Sequence, residues 1–380
     1  MSSHPFKKPK LPSHYFVWCE PPDDSGDELL HIVSDRRRFK LKGHSFREFQ
    51  RSVIPLLDGE HTREEIQRAV AELFAPEDLD RCLQLLADHR LLHDADGDSL
   101  GALVGEMIVP QLNFFHEMDA DAAAAQARLL NATVTVVGLG GAGALATLSL
   151  AAARVGALRC VDALPVGAQD PYLSPVFSMG EVGTPRAAVV AGRVEGLASS
   201  VKTMVNTDPL ESDADVLRAI EGSDFVISCL DPGQSSLVYK LNRACLAARL
   251  RWSSCVVAGA EAILGPTVHP FETACYLCYK MRTVACAGNP GDEFAFERFQ
   301  DQRKRDDSGR RGNVVFGVGI AANMLALEVV KSLTGFAPPS ALGRIVVFDL
   351  LELSSSRHVV LRKPWCPACF PPSPAEHAHR

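Results

Sequence analysis

Missing from the 380 residues is any apolar run of transmembrane length, and the opening MSSHPFKKPK has no apolar core of the kind a secretion signal needs. The expectation is a cytoplasmic chain that meets no membrane. Positive charge is also short. Lys and Arg number 39 against 46 Asp and Glu, a net charge of −7, which argues against a generic nucleic-acid or anionic-surface binder. Internal repeats are absent, as are low-complexity tracts outside the termini. So are the P-loop, H-E-x-x-H and G-x-S-x-G patterns, with the chemistries they carry. What remains is ordinary for two or three globular domains, 47% hydrophobic and 22% charged. The 11 cysteines, in a reducing compartment, ask for metal or catalytic roles rather than disulfides.

The stretch Thr133 to Asp162 organises the rest. Thr133–Val137 reads as a buried parallel strand. Gly138, Gly140, Gly141 and Gly143 form G-x-G-G-x-G ahead of a small-residue helix from Ala144 to about Val155. Such a loop lets backbone amides approach a phosphate at a helix N-terminus. A second strand, Leu158–Val161, ends at Asp162, where an acid can accept a ribose hydroxyl. Lys202–Asn206, Phe225–Ser228 and Trp252–Val257 continue a parallel sheet, with a helix at Leu237–Ala248. The fold class is α/β and Rossmann-like. Cys160, Cys229, Cys245 and Cys255 fall on these elements and read as core.

Cys275-x-x-Cys278 and Cys366-x-x-Cys369 are two knuckles whose four thiolates would close a tetrahedral zinc site with no open position, a structural staple for the C-terminus. Between them, residues 291–313 read as a mobile crossover, followed by an apolar helix at about Val318–Leu333 ended by Gly335, and strands at Arg344–Leu350 and His358–Leu361. Cys286 reads as a free thiol and His269 as a structural residue in a Pro-bounded turn.

Ahead of the glycine loop, residues 1–12 read as a disordered tail, 13–100 as a small α+β module and 101–130 as a linker and helix; 131–370 form the Rossmann-like body and 371–380 a second tail. The module has three short strands, Tyr15–Cys19, Leu29–Val33 and Arg37–Leu41. Three helices follow: one from Ser45, one opened by a Thr62/Glu65 capping box, one from Pro76 to His89. The outline is winged-helix-like, but residues 1–100 hold 14 Lys and Arg against 19 Asp and Glu, so the phosphate footprint of a DNA binder is missing.

The order of these elements and the stretch LLDGEHTREEI resemble the PqqD-like peptide-recognition domains of ribosomal-peptide biosynthesis. The resemblance implies that a leader peptide adds as a strand along Arg37, Arg38, Phe39, Lys40, Leu41 and Lys42, beside Arg81, Gln84 and Leu85 of the third helix. The glycine loop with two distant knuckles resembles the ThiF/MoeB-like adenylating enzymes. Within them, LGPTVHPFETACYLCYKMR and HVVLRKPWCPAC resemble the ThiF-like component of cyclodehydratases that make thiazole/oxazole-modified microcins. That component carries a leader peptide to a separate, ATP-using YcaO protein. Adenylating relatives place D-x-D, Asn, Arg, a Gly-Lys before a Pro, and a later Asp-Asn with an Arg around ATP and magnesium. Here Asp162 and Asp231 remain, while Leu164, Asp170, Leu173, Gly183-Thr184-Pro185 and Pro232 depart from the pattern. Arg186 or Arg193 is the only compensation in view. Each missing donor is worth about 2.7–4 kcal/mol of transition-state stabilisation. The expectation is a homodimeric, non-catalytic scaffold with vestigial nucleotide-binding residues and no use of ATP of its own. The competing readings are an ATP-dependent adenylating enzyme acting on a peptide or carrier-protein carboxylate, and a winged-helix transcriptional regulator.

Overall fold

A computed structural model describes residues 6–95, 108–231, 233–302 and 313–370, and divides the chain into two compact units, Met1–Ala127 and Arg128–Arg380. In the first unit, β2 (Phe16–Glu20), β3 (Glu28–Val33) and β4 (Arg38–Gly43) form an antiparallel sheet in that order. Strand alternation sends Leu30 and Ile32 inward, with Val17, Cys19, Phe39 and Leu41 on the same side. They meet α1 (Phe46–Ser52), α2 (Arg63–Ala69) and α3 (Pro76–Asp88) through Phe49, Val53, Ile66, Leu79, Leu83 and Leu86. Each fully buried aliphatic side chain contributes about 1.5–3 kcal/mol. The Thr62/Glu65 capping box forms as its spacing predicts.

Of the tail expected over residues 1–12, residues 1–5 lie outside the described residues, and the rest is corrected by a strand, β1 (Pro9–Lys10), paired with β5 (His93–Asp94). Its cause is the Asp94 carboxylate, which accepts the amides of Lys7 (3.1 Å) and Lys8 (2.9 Å) and so satisfies polar backbone that a free tail would leave to water. Residues 371–380 and the first seven residues, 101–107, of the expected linker and helix lie outside the described residues. Past them come α4 (Val109–Glu117) and α5 (Ala122–Leu130).

The second unit is built on an eight-stranded sheet. Its parallel part comprises β6 (Thr133–Val137), β7 (Ala157–Val161), β8 (Lys202–Asn206), β9 (Phe225–Ser228) and β10 (Arg251–Ala258). Antiparallel β11 (Glu261–Leu264), β12 (Arg344–Asp349) and β13 (Ser354–Val359) extend one edge, giving the order β13-β12-β11-β10-β9-β6-β7-β8. The helices α6 (Gly141–Ala152), α7 (Asp170–Leu173), α8 (Arg186–Leu197), α9 (Asp213–Ile220), α10 (Ser235–Ala247) and α11 (Tyr276–Cys286) connect these strands. Val134, Val136, Phe225, Val226 and Ile227 are fully buried, as strands covered on both faces require.

Two expectations about the later chain are corrected. Of the expected mobile crossover, 291–313, residues 291–302 belong to α12 (Pro290–Gln302), and 303–312 lie outside the described residues. Asp301 accepts the amides of Ser235 and Ser236 at the start of α10 (2.9 and 3.0 Å), and Glu297 pairs with Lys280 at 2.5 Å. These contacts fix a segment whose composition alone reads as solvent-exposed chain. The long apolar helix is α13 (Val315–Thr334), which is long and apolar enough to span a bilayer by length and composition, contrary to the expectation that no such run exists. It packs against α6 and β10 and buries Glu328, whose carboxylate accepts from Thr267 Oγ1, Ser340 N and Ala341 N. Gly335 closes it at φ 71°, a left-handed cap that glycine adopts without strain.

Candidate functional site

Strand order reverses between β6 and β9, and the loops leaving their carboxyl ends form a crevice where open α/β sheets take ligands. Gly138 opens the first loop at φ 86°, and a Cβ there would stand 2.6 Å from the Cys229 carbonyl oxygen, so only glycine fits. Gly140 caps α6, and Gly141 and Gly143 lie in its first turn. A Cβ on Gly140 would meet Asp231 Oδ1 at 2.6 Å and Arg186 Nη1 at 3.2 Å. Asp231 and Arg186 therefore stand directly over the loop that would receive a phosphate.

Arg186 opens α8 and is the hub of this crevice. Its Nε and Nη2 form a fork on Asp170 (2.7 and 2.5 Å), while Nη1 reaches Asp231 at 2.6 Å and Asp162 at 3.4 Å. The side chains of Arg186, Asp162 and Asp170 are 3%, 3% and 2% exposed, and that of Asp231 is 27% exposed. Three carboxylates around one guanidinium leave a formal surplus of negative charge. Burial works against the Arg186 charge, but Asp231 and Asp170 outweigh it and hold the guanidinium above its ordinary pKa. For Asp162, burial is the larger effect and raises the carboxyl, offset in part by Arg186.

Asp162, which the sequence offers to a ribose hydroxyl, has backbone partners on both oxygens. Its oxygens accept the amides of Leu139 and Leu164, both at 2.8 Å, and tie the glycine loop to the end of β7. Leu173 packs against Gly141, an apolar side chain beside the loop. Of the two arginines offered as compensation, Arg186 is in the crevice, whereas Arg193 pairs with Glu181 at 2.8 Å. Among the described residues, Arg186 and its three carboxylates would present a triphosphate with net negative charge and a cation already committed to three partners.

The four knuckle cysteines come together. Cys275 caps α11, Cys278 follows in its first turn, and both meet Cys366 and Cys369 near the chain's end. All four are buried, their Sγ atoms lie within 4.8 Å of one another, and three of the separations are 3.5, 3.8 and 3.9 Å. A zinc tetrahedron with Zn–S of about 2.3 Å has edges of about 3.8 Å, so the donor set and its spacing fit a closed structural zinc site. The Lys363 amide points at Cys278 Sγ (3.3 Å), a donor suited to a thiolate. Cys286, at the end of α11, is exposed.

In the first unit, β4 is an edge strand, bonded only to β3 among the described residues. Phe39 and Leu41 face the core side; Arg38, Lys40 and Lys42 face outward. Arg37 belongs to the preceding turn, where its guanidinium is held by Asp119, and Lys42 is held by Asp23 (2.9 Å) and Asp27 (3.3 Å). Phe39 lies against His89, just past α3, with ring centroids 5.3 Å apart. On α3, Leu85 is 37% exposed, Arg81 pairs loosely with Asp78 (3.6 Å) and Gln84 donates to Asp88 (2.7 Å).

A Rossmann-like sheet with a glycine loop at its switch point and a distant cluster of four cysteines defines an α/β nucleotide-binding class of fold. The ThiF family model matches residues 110–368, and the chain belongs to that family. Among curated proteins it is similar to Protein HesA of Leptolyngbya boryana, with 27% identity over 59% of this chain and 72% of that one. It is similar also to the sulfur carrier protein ThiS adenylyltransferase of Escherichia coli K12, with 26% identity over 59% of this chain and 80% of that one. Among solved structures, E. coli MccB with ATP superposes with a TM-score of 0.67 at 15% identity, covering 95% of this chain and 99% of MccB. MccB with SeMet MccA gives 0.68 at 16% identity, with the same coverage. PaaA gives 0.65 at 19% identity, covering 78% of this chain and 96% of PaaA. At these identities the structural likeness concerns the fold.

Proposed function

We propose that this chain is a leader-peptide-binding scaffold that presents a ribosomally made precursor to a YcaO-type cyclodehydratase for thiazole or oxazole formation, and does not itself adenylate. The observation that carries the reading is the Arg186 cluster. A guanidinium forked on Asp170 and paired with Asp231 fills the approach to the glycine loop and leaves no uncommitted cation in the crevice among the described residues. Gly138, Gly140, Gly141 and Gly143 then serve as a turn that packs α6 on the sheet. The open edge of β4, in a PqqD-like first unit, supports peptide capture by strand addition, in which backbone hydrogen bonds give affinity and alternate side chains give selectivity. Bound this way, the core peptide gains effective concentration at the partner's active site.

Zinc held by Cys275, Cys278, Cys366 and Cys369 would fasten the end of the chain to α11. A homodimer is part of the same proposal. A cavity of about 840 Å3 lies between α13 and the β12–β13 hairpin, lined by Ile320, Met324, Leu327 and Val346, with Phe316 76% exposed at its rim.

A second reading, an ATP-dependent adenylating enzyme acting on a peptide, is favoured by one observation: Arg186 and Asp231 stand at the loop where phosphates and a metal ion would lie. The structures of MccB with ATP and with MccA are of a protein with this fold.

The test of the scaffold reading is binding of the precursor peptide to Lys40→Pro and Phe39→Asp variants. Lys40→Pro should abolish binding by removing a ladder amide, and Phe39→Asp by placing a charge on the α3 side, while the Arg128–Arg380 unit stays folded by thermal unfolding. Unchanged affinity in either variant would rule out the β4 edge.

A further inference from the structure

The outer face of the β2-β3-β4 sheet is arranged in cross-strand rows. Phe16, Val33 and Arg38 share one row; Trp18, His31 and Lys40 the next; Glu20, Leu29 and Lys42 the third. The aromatic column is on β2, where Trp18 stacks on His31 with ring centroids 4.6 Å apart and planes 3° from parallel. The cationic column is on β4, at the open edge. Its three members differ. Lys42 is neutralised by Asp23 and Asp27, while His31, in the Lys40 row, is held by Glu20 at 2.7 Å. Arg38 and Lys40 are exposed and have no ion-pair partner among the described residues. They sit two residues apart, so both project from the same face. On the opposite face, the same edge offers Phe39, Leu41 and the ring of His89.

We infer that the peptide strand accepted at β4 is amphipathic with a fixed phase: acidic side chains at two alternate positions, opposite Arg38 and Lys40, and apolar side chains between them, facing Phe39 and α3. This rests on the strand-addition reading and gives it a substrate class. A strand pairing with β4 places its outward residues directly across from Arg38 and Lys40, at the 4.5–5.5 Å Cβ spacing typical of neighbouring strands, where opposite charges attract and like charges repel. Lys42 contributes no selectivity because its charge is already matched. The paired positions are therefore two, not three. The chain as a whole carries a net charge of −7, so attraction of an acidic peptide has to come from local basic positions, and Arg38 and Lys40 supply two at this edge.

The experiment is a selection from a random peptide display library on the immobilised full chain, run in parallel on Arg38→Glu/Lys40→Glu and Lys40→Pro. Wild type should enrich peptides with Asp or Glu at positions i and i+2 flanked by apolar residues, about fivefold over their library frequency, the scale of two exposed cross-strand ion pairs. The charge-reversed chain should enrich Lys or Arg at the same two positions, and this exchange is a readout that edge protection alone would not produce. Enrichment of apolar strand formers without charge alternation, lost in Lys40→Pro, would overturn the charge assignment and leave strand addition standing. Enrichment that survives Lys40→Pro, or no enrichment at all, would overturn both.

Discussion

Arg186 decides what the crevice can do. A buried arginine facing three carboxylates is held by mutual need, since removing it leaves Asp162 and Asp170 as uncompensated buried charges. Arg186→Ala should destabilise the chain by about 3–5 kcal/mol, the usual cost of breaking a buried pair from one side, read as a lowered urea midpoint. An unchanged midpoint would mean that the cluster is not formed in solution. This residue is only half legible in the sequence. Its place just after Gly183-Thr184-Pro185 marks it as a compensating cation, equally with Arg193. Nothing in one dimension shows that Asp170, sixteen residues earlier, turns its carboxylate onto it, because that contact depends on how the loop after β7 folds back. For Asp162 the sequence places the residue correctly, at the end of β7, and misses its backbone partners. The backbone amides of Leu139 and Leu164 that occupy it carry no sequence signature.

At the scale of elements, periodicity finds what periodicity encodes. The glycine loop, the strands at 133–137, 202–206 and 225–228, the Thr62 cap and the Gly335 stop all stand where apolar spacing and backbone chemistry place them. It fails where tertiary contacts supply the order. The helix α12 is acidic and exposes Phe294, Phe296 and Phe299, so its sequence has no single apolar face to announce it. Its order comes from Asp301, which caps another helix, and from Glu297, which pairs with Lys280. Asp301→Ala should therefore cost about 0.5–2 kcal/mol and speed hydrogen exchange at Ser235 and Ser236, the two amides it covers. Unaltered exchange at those amides would show that α12 does not cap α10.

For the whole molecule, the four-cysteine cluster ties residues 366 and 369 to 275 and 278, across most of a hundred residues of chain. The knuckle spacing makes this site legible in advance, since two C-x-x-C turns leave few other arrangements. Cys366→Ser should lower bound zinc well below one equivalent per chain and destabilise the Arg128–Arg380 unit, measured by elemental analysis alongside thermal unfolding. A variant as stable as wild type and free of metal would show that the cluster holds by packing alone. The sequence also suggests a ThiF-like fold, which the family match shows. It does not reveal whether the crevice is open, since that turns on the placement of one guanidinium.

The decisive measurement is ATP–pyrophosphate exchange by the purified full chain with magnesium and its precursor peptide. A scaffold whose crevice arginine is locked between Asp162, Asp170 and Asp231 should give no exchange above a protein-free control, with the peptide still bound. Sustained, peptide-dependent exchange would mean that Arg186 releases its partners to hold phosphate, and the chain would then be an adenylating enzyme.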